Sequence, residues 1–214
     1  MVTILAYRNV TGQDGDVKHA FVSGEPALDF VGSLKWRRDD QEELLLEPSD
    51  LRDWAVDGGI VSAEFDVDVS ELSDALQLRE AVYSAVRAAM AGTPIAASDT
   101  DLLNRFSAFP PVQPLLVDMQ VRFTGDAPAV LSTVARNAVS VILDDSVVLK
   151  ECASERCTRI FADRSRGARR NWCGMDECGN RVKAAAYRRR LRGEEPVTTP
   201  EVSPPAFKPS CIVG

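Results

Sequence analysis

Four of the five cysteines in this 214-residue chain sit in one short stretch, as Cys152-x4-Cys157 and Cys173-x4-Cys178. Two such pairs separated by a loop have the spacing of a single tetrahedral metal site. The stretch holds few large apolar side chains: Ile160, Phe161, Trp172, Val182, Tyr187 and Leu191. A module of about 40 residues with so small a core needs a metal or cross-links to fold. One Zn2+ bound by Cys152, Cys157, Cys173 and Cys178 would supply that stabilisation and leave no coordination position open for catalysis. The alternative is a pair of local disulfides in a secreted chain. Against it, the opening residues lack the basic segment and apolar length of a secretory signal. No stretch approaches the roughly 18 apolar residues of a membrane span. The expectation is a cytoplasmic protein without a membrane partner.

Charge is segregated along the chain. The formal net charge is −7, yet residues 150–192 carry 13 Lys+Arg against 5 Asp+Glu. Residues 1–149 carry 11 against 24. A basic module beside an acidic body predicts a local anion-binding surface, with a polyanion held at one end of the molecule. Arg164, Arg166, Arg169 and Arg170 lie between the cysteine pairs. Arg181, Lys183, Arg188, Arg189 and Arg190 lie on the helix expected from Cys178 to Leu191. Phosphate contacts from such residues would position the module on DNA, and one or two side chains would reach base edges. Each arginine also has the plainer reading of a solvated face.

Four segments are expected: a leader (1–23), a helical body (24–146), the cysteine module (147–192) and a Pro/Ser/Thr-rich tail (193–214). In the body, Ser49 is placed to cap a helix that Gly58-Gly59 ends. Leu72, Ala75, Leu76, Val82, Val86 and Met90 follow helical period from about Ser70 to Ala91, and Arg79 interrupts their apolar face. A shorter helix is expected from Ser98 to Phe109, with Ser98 as its cap. Leu115–Phe123 reads as one half-buried strand, and a further helix runs from Pro128 to about Leu143. The fold class is mainly α with a short β element, plus a treble-clef-like zinc finger. Asp29 lies inside the apolar segment Pro26–Ser33, and Arg79 is its natural counter-ion. Such a buried pair would be structural or would line a small-molecule pocket. His19 is the only histidine. No nucleophile–base pair or phosphate loop can be named, and the chain is expected not to be an enzyme.

The module from Cys152 through Phe161-Ala162-Asp163 and Arg169-Arg170-x-Trp172-Cys173 to Cys178-Gly179-Asn180-Arg181-x-Lys183 resembles the CGNR zinc finger of bacterial proteins. In that family the finger follows an ABATE domain, a mostly helical region linked to stress-induced transcription regulation. Ala27-Leu28-Asp29-Phe30-Val31 resembles the ABATE opening motif, with Gly32 where an Asn often stands. Leu51-x-x-Trp54 and Leu78-Arg79-Glu80-Ala81-Val82 resemble its helices. The resemblance covers roughly residues 24–192. It implies a DNA-binding transcription regulator whose body senses a small-molecule effector or forms a homodimer. The other readings are a module contacting an acidic partner of the transcription machinery and an enzyme with its site in the body.

Overall fold

The computed structural model describes residues 19–192. The side chains of Asp176, Glu177, Arg181, Ala185, Ala186, Arg189 and Arg190 are outside the description. The leader up to residue 18 and the tail from 193, with Cys211, also lie outside the described residues.

Helix α1 (Pro26–Val31) begins on a proline whose missing N–H would have no helical partner anyway, and all six of its residues are buried. A helix this short is stable only through packing, and α1 lies between the longer helices as part of the core. Strands β1 (Leu34–Lys35) and β2 (Glu42–Glu43) form a minimal antiparallel pair. Helix α2 (Pro48–Asp57) starts after Glu47. The expected Ser49 cap is replaced by the Asp50 carboxylate, which accepts the N–H groups of Leu46 and Glu47 at 2.7 and 2.9 Å.

Helix α3 (Val69–Ala91) is the spine. Asp68 and Glu71 bond each other's backbone N–H groups in a capping box, and Gly92 ends the helix at φ 65°. Helix α4 (Ala97–Ser107) starts after Ala96, two residues before the expected Ser98 cap. Helix α5 (Ala127–Ile142) is capped by Asp126, which accepts from Ala129 N–H. Helices α1, α2, α4 and α5 gather against α3. Phe30, Leu51, Trp54, Leu78, Val82, Val86, Leu103, Phe106, Val130, Leu131 and Val134 fill the space between them.

Leu115–Phe123 forms two strands where the sequence suggested one. β3 (Gln113–Val117) and β4 (Gln120–Thr124) pair in antiparallel register across a two-residue turn. Asp118 and Met119 both have positive φ, 48° and 60°, the geometry of the tight hairpin turn that suits strand twist. The apolar run is therefore folded back on itself and stands largely exposed, with Leu116 74% accessible.

The last layer joins the body to the cysteine module. β5 (Val148–Glu151) pairs antiparallel with β6 (Ile160–Asp163). Successive side chains of β6 point opposite ways. Ile160 and Ala162 enter the main core, while Phe161 packs on the cysteines. A π-helical turn, Met175–Gly179, leads into α6 (Asn180–Leu191). Cys178 thus sits in the turn before the helix, not at the helix's first residue. The fold is mainly helical with a cysteine-built finger at its C-terminal side, as expected. No helix among the described residues is long and apolar enough to cross a membrane.

Arg79 is 3% exposed within this core. Its two terminal nitrogens grip the Glu43 carboxylate at 2.6 Å each, its Nε reaches Glu80 at 2.9 Å and Nη1 also meets Ser33 Oγ. Burial alone would raise the Glu43 carboxyl, but the Arg79 hydrogen bonds outweigh it and hold it below the usual carboxylate range. Removing Arg79 strands the half-buried Glu43 carboxylate, while Glu80 keeps Arg37. Arg79→Ala is expected to cost about 3 kcal/mol, or a fall in Tm of roughly 10 °C, read by thermal unfolding at neutral pH. Because the folded Glu43 value is lowered, this contribution is fully present above the ordinary glutamate range. It fades as pH falls through the depressed folded value, so the deficit of the variant should shrink in strong acid.

Candidate metal centre

The finger is built from two turns facing each other. Cys152 closes β5, and its N–H donates to Arg159 O at 2.9 Å, which fixes the first loop. Cys157 sits in the tight turn that follows, its N–H bonded to Ser154 O. Cys173 and Cys178 bracket the second turn, where Cys178 and Gly179 N–H both converge on Gly174 O. A Cβ at Gly179 would lie 2.6 Å from Met175 Sδ, the tip of an exposed side chain that can turn aside.

The four sulfurs lie within 4.8 Å of one another. Cys157 and Cys173 are 3.9 Å apart, and Cys173 and Cys178 are 3.7 Å apart. A tetrahedron with metal–sulfur bonds of about 2.3 Å has edges of about 3.8 Å. The donor set therefore fits one dication of zinc's size, and all four cysteines are free of disulfides. Cys173 N–H points at Cys152 Sγ at 3.5 Å, the kind of backbone donor that steadies a thiolate ligand. Hydrogen bonding from Cys157 draws the Cys152 thiol down, while Cys152 pushes Cys157 and Cys173 up. Few negative charges can be held together at this spacing without a cation to balance them.

Around the sulfurs runs a set of supports that the sequence alone did not single out. Asp163, at the end of β6 with a fully buried side chain, accepts from Ser165 N–H and Oγ, Arg170 N–H and Lys150 Nζ. Burial opposes this charge, but the bonds from Ser165 and Lys150 hold the carboxyl down at about 2. Asp163 thereby shapes the whole loop between the two turns. Arg170 stacks on Phe161 at 4.5 Å and donates to the carbonyls of Trp172, Cys173 and Val22. Val22 itself packs against Cys152, Cys173 and Cys178, and Ser23 O accepts from Ala162 N–H. Residues 20–23 are thus a strap between body and finger.

The expected Asp29–Arg79 pocket is replaced by two separate arrangements. Asp29 Oδ1 accepts the strap's Val22 and Ser23 N–H groups at 2.9 Å and faces Arg159 at 3.8 Å, while Arg79 turns to Glu43 and Glu80. The reason is topological: α1 presents its acid to the finger, whereas α3 presents its arginine to the open end of the β1–β2 pair.

The basic residues divide as well. Arg164 pairs with Glu25 and Asp144 of the body, and Arg170 is an internal brace. Arg166, Arg169, Lys183 and Arg188 are exposed, and none meets an acid among the described residues. The side chains of Arg181, Arg189 and Arg190 lie outside the description, although their backbone is on α6.

Replacing Cys173 by Ser should remove metal from the purified protein, and a chelator should do the same to the native chain. Amide exchange is then expected to rise at residues 152–159 and 163–179, with most of the far-UV helical signal kept, since α1 to α5 have their own core. Because bound thiolates must shed their protons, metal release should also grow as pH falls. Asp163→Asn should loosen the same loop with all four sulfurs intact, costing about 2 kcal/mol in unfolding free energy.

A family model described as "Putative stress-induced transcription regulator", ABATE, matches residues 24–145. A second, the CGNR zinc finger, matches residues 149–191. No curated protein matches the chain. With more than half its length under the first model and its four sulfurs under the second, the chain belongs to the ABATE family and carries a CGNR zinc finger.

Proposed function

We propose that this protein is a DNA-binding transcription regulator whose zinc-loaded finger docks on the duplex, and that it is not an enzyme. Zinc is the metal that best suits four soft sulfur donors in a tetrahedron, and its part here is structural. The observation that carries the DNA reading is the contrast between two sets of cations. In the body, Arg37, Arg38, Arg52, Arg79, Arg87 and Arg105 each meet an acid, and only Arg122 and Arg136 of the body's described arginines do not. In the finger, Arg166, Arg169, Lys183 and Arg188 are exposed with no acid partner among the described residues. Unneutralised cations on a frame held by a metal suit phosphate contact. The acidic body repels the same polyanion, which would confine the duplex to the finger side.

A single finger offers a small footprint, so useful affinity calls for two copies. The exposed hairpin face of Leu116 and Val121 is the apolar surface on which a homodimer would form.

In fluorescence anisotropy at low salt, the native protein should bind duplex DNA. Replacing Arg166, Arg169 and Arg188 together by Ala should weaken it tenfold or more. The slope of log affinity against log salt should become shallower by about 2 to 3, one step of about 0.9 for each lost phosphate contact. An acidic protein partner becomes the better reading if the intact, zinc-loaded chain shows no DNA affinity at 50 mM salt, a concentration where phosphate contacts are near their strongest.

A further inference from the structure

A cleft of about 120 Å³ lies where the finger's first turn meets the body. That is room for about four waters, or for an oxyanion carried on a small flat body. Its walls come from both sides: Gly32, Lys35 and Trp36 from the body, Ser154, Arg156 and Arg159 from the finger.

Arg159 makes this cleft more than a crevice. It is 8% exposed, so its guanidinium has been taken out of bulk water. Nη1 is held by Ala20 O at 2.6 Å and faces Asp29 at 3.8 Å. Nε and Nη2 have no protein partner among the described residues and are not sealed from solvent, so they remain free to bond a guest in the cleft that Arg159 lines. Gly32 is bare beside it; a Cβ there would come within 3.0 Å of Nη1.

The rim adds charge and an aromatic plane. Lys35 and Arg156 flank the Trp36 ring at 5.9 and 5.2 Å. Their acid partners are exposed and loosely held, Glu42 at 3.4 Å from Lys35 and Asp40 at 3.9 Å from Arg156. Pairs of that kind contribute little and yield to a better acceptor. Trp36 has φ 51°, a conformation that costs a bulky residue free energy and gathers at binding sites.

We propose that this junction cleft binds a small organic anion, a carboxylate on a flat body. The carboxylate would be taken by the free N–H groups of Arg159 with help from Lys35 and Arg156, and the flat body would lie against Trp36. A planar guanidinium with adjacent free N–H groups matches a carboxylate fork. The depth of Arg159 excludes a duplex phosphate, whose bulk would stop at the rim. The loaded metal centre adds negative charge nearby through Cys157 and Cys178, which also line the cleft. Lys35 and Arg156 can offset part of that charge on leaving Glu42 and Asp40, while Arg159 stays beside Asp29. A ligand here would touch finger and body at once, so it would change how firmly one is seated on the other.

The test is titration of the full-length, zinc-loaded protein with benzoate, acetate and inorganic phosphate, followed by tryptophan fluorescence and calorimetry. Benzoate is expected to saturate at millimolar concentration or below, more tightly than acetate. The fluorescence change should vanish in Trp36→Phe, with calorimetric binding weakened but still measurable. Lys35→Ala/Arg156→Ala, a half-buried and an exposed rim position outside the core, should weaken benzoate at least tenfold. The inference is overturned by the absence of saturable benzoate binding up to 10 mM, or by binding that the double variant leaves unchanged. It is also overturned if phosphate binds more tightly than benzoate and a short duplex displaces it, since the cleft would then be a DNA phosphate contact. None of these readouts depends on the protein binding DNA, so failure of the regulator reading leaves the test intact.

Discussion

Four thiolates within 4.8 Å of one another repel, and only a cation at their centre lets all four be charged together. The surrounding structure follows from that demand. The two cysteine turns must face each other, so the intervening loop must double back, and Asp163 bonds the groups that make it do so. Arg170 is then drawn inward to brace the second turn rather than outward to solvent. What remains on the outside is a subset of the basic residues, and that subset carries the proposed contact with DNA.

The same demand explains why the finger is seated on the body rather than tethered to it. A four-residue strand cannot bury both its faces within so small a module. β6 gives Ile160 and Ala162 to the helical core and Phe161 to the sulfurs. The strap at residues 20–23 closes the remaining gap by hydrogen bonding to Asp29 on one side and to Ala162 and Arg170 on the other. Body and finger share one hydrogen-bonded seam, though they match two separate family models.

Much of this was legible in residue order. Cysteine spacing marked the metal donors, and the apolar period of 72–90 marked the long helix, because both signals are local. The hairpin was read as one strand because Asp118-Met119 lacks the glycine or asparagine that usually marks such a turn, while its apolar neighbours keep the alternation of a longer strand. The partners of Asp29 and Arg79 were misread for a different reason. Each needs a counter-ion, but which one depends on where α1 and α3 point, and sequence periodicity carries no such information. Glu43 and Arg159 became the partners because the open end of the β1–β2 pair and β6 arrive there in three dimensions. Asp163 stood in the finger motif, but its place as a hub rests on contacts that only the folded loop shows.

The strap has a consequence for how the chain acquires its shape during synthesis. Ala20, Val22 and Ser23 leave the ribosome early, yet the groups that satisfy their carbonyls belong to Arg159, Arg170 and Ala162, well over a hundred residues later. Contacts so far apart in the chain form slowly, since a long loop must close before any of them is gained. The seam between the halves can therefore be sewn only after the loop between the cysteine turns has been made, so the acidic body must wait for the finger before its own edge is closed.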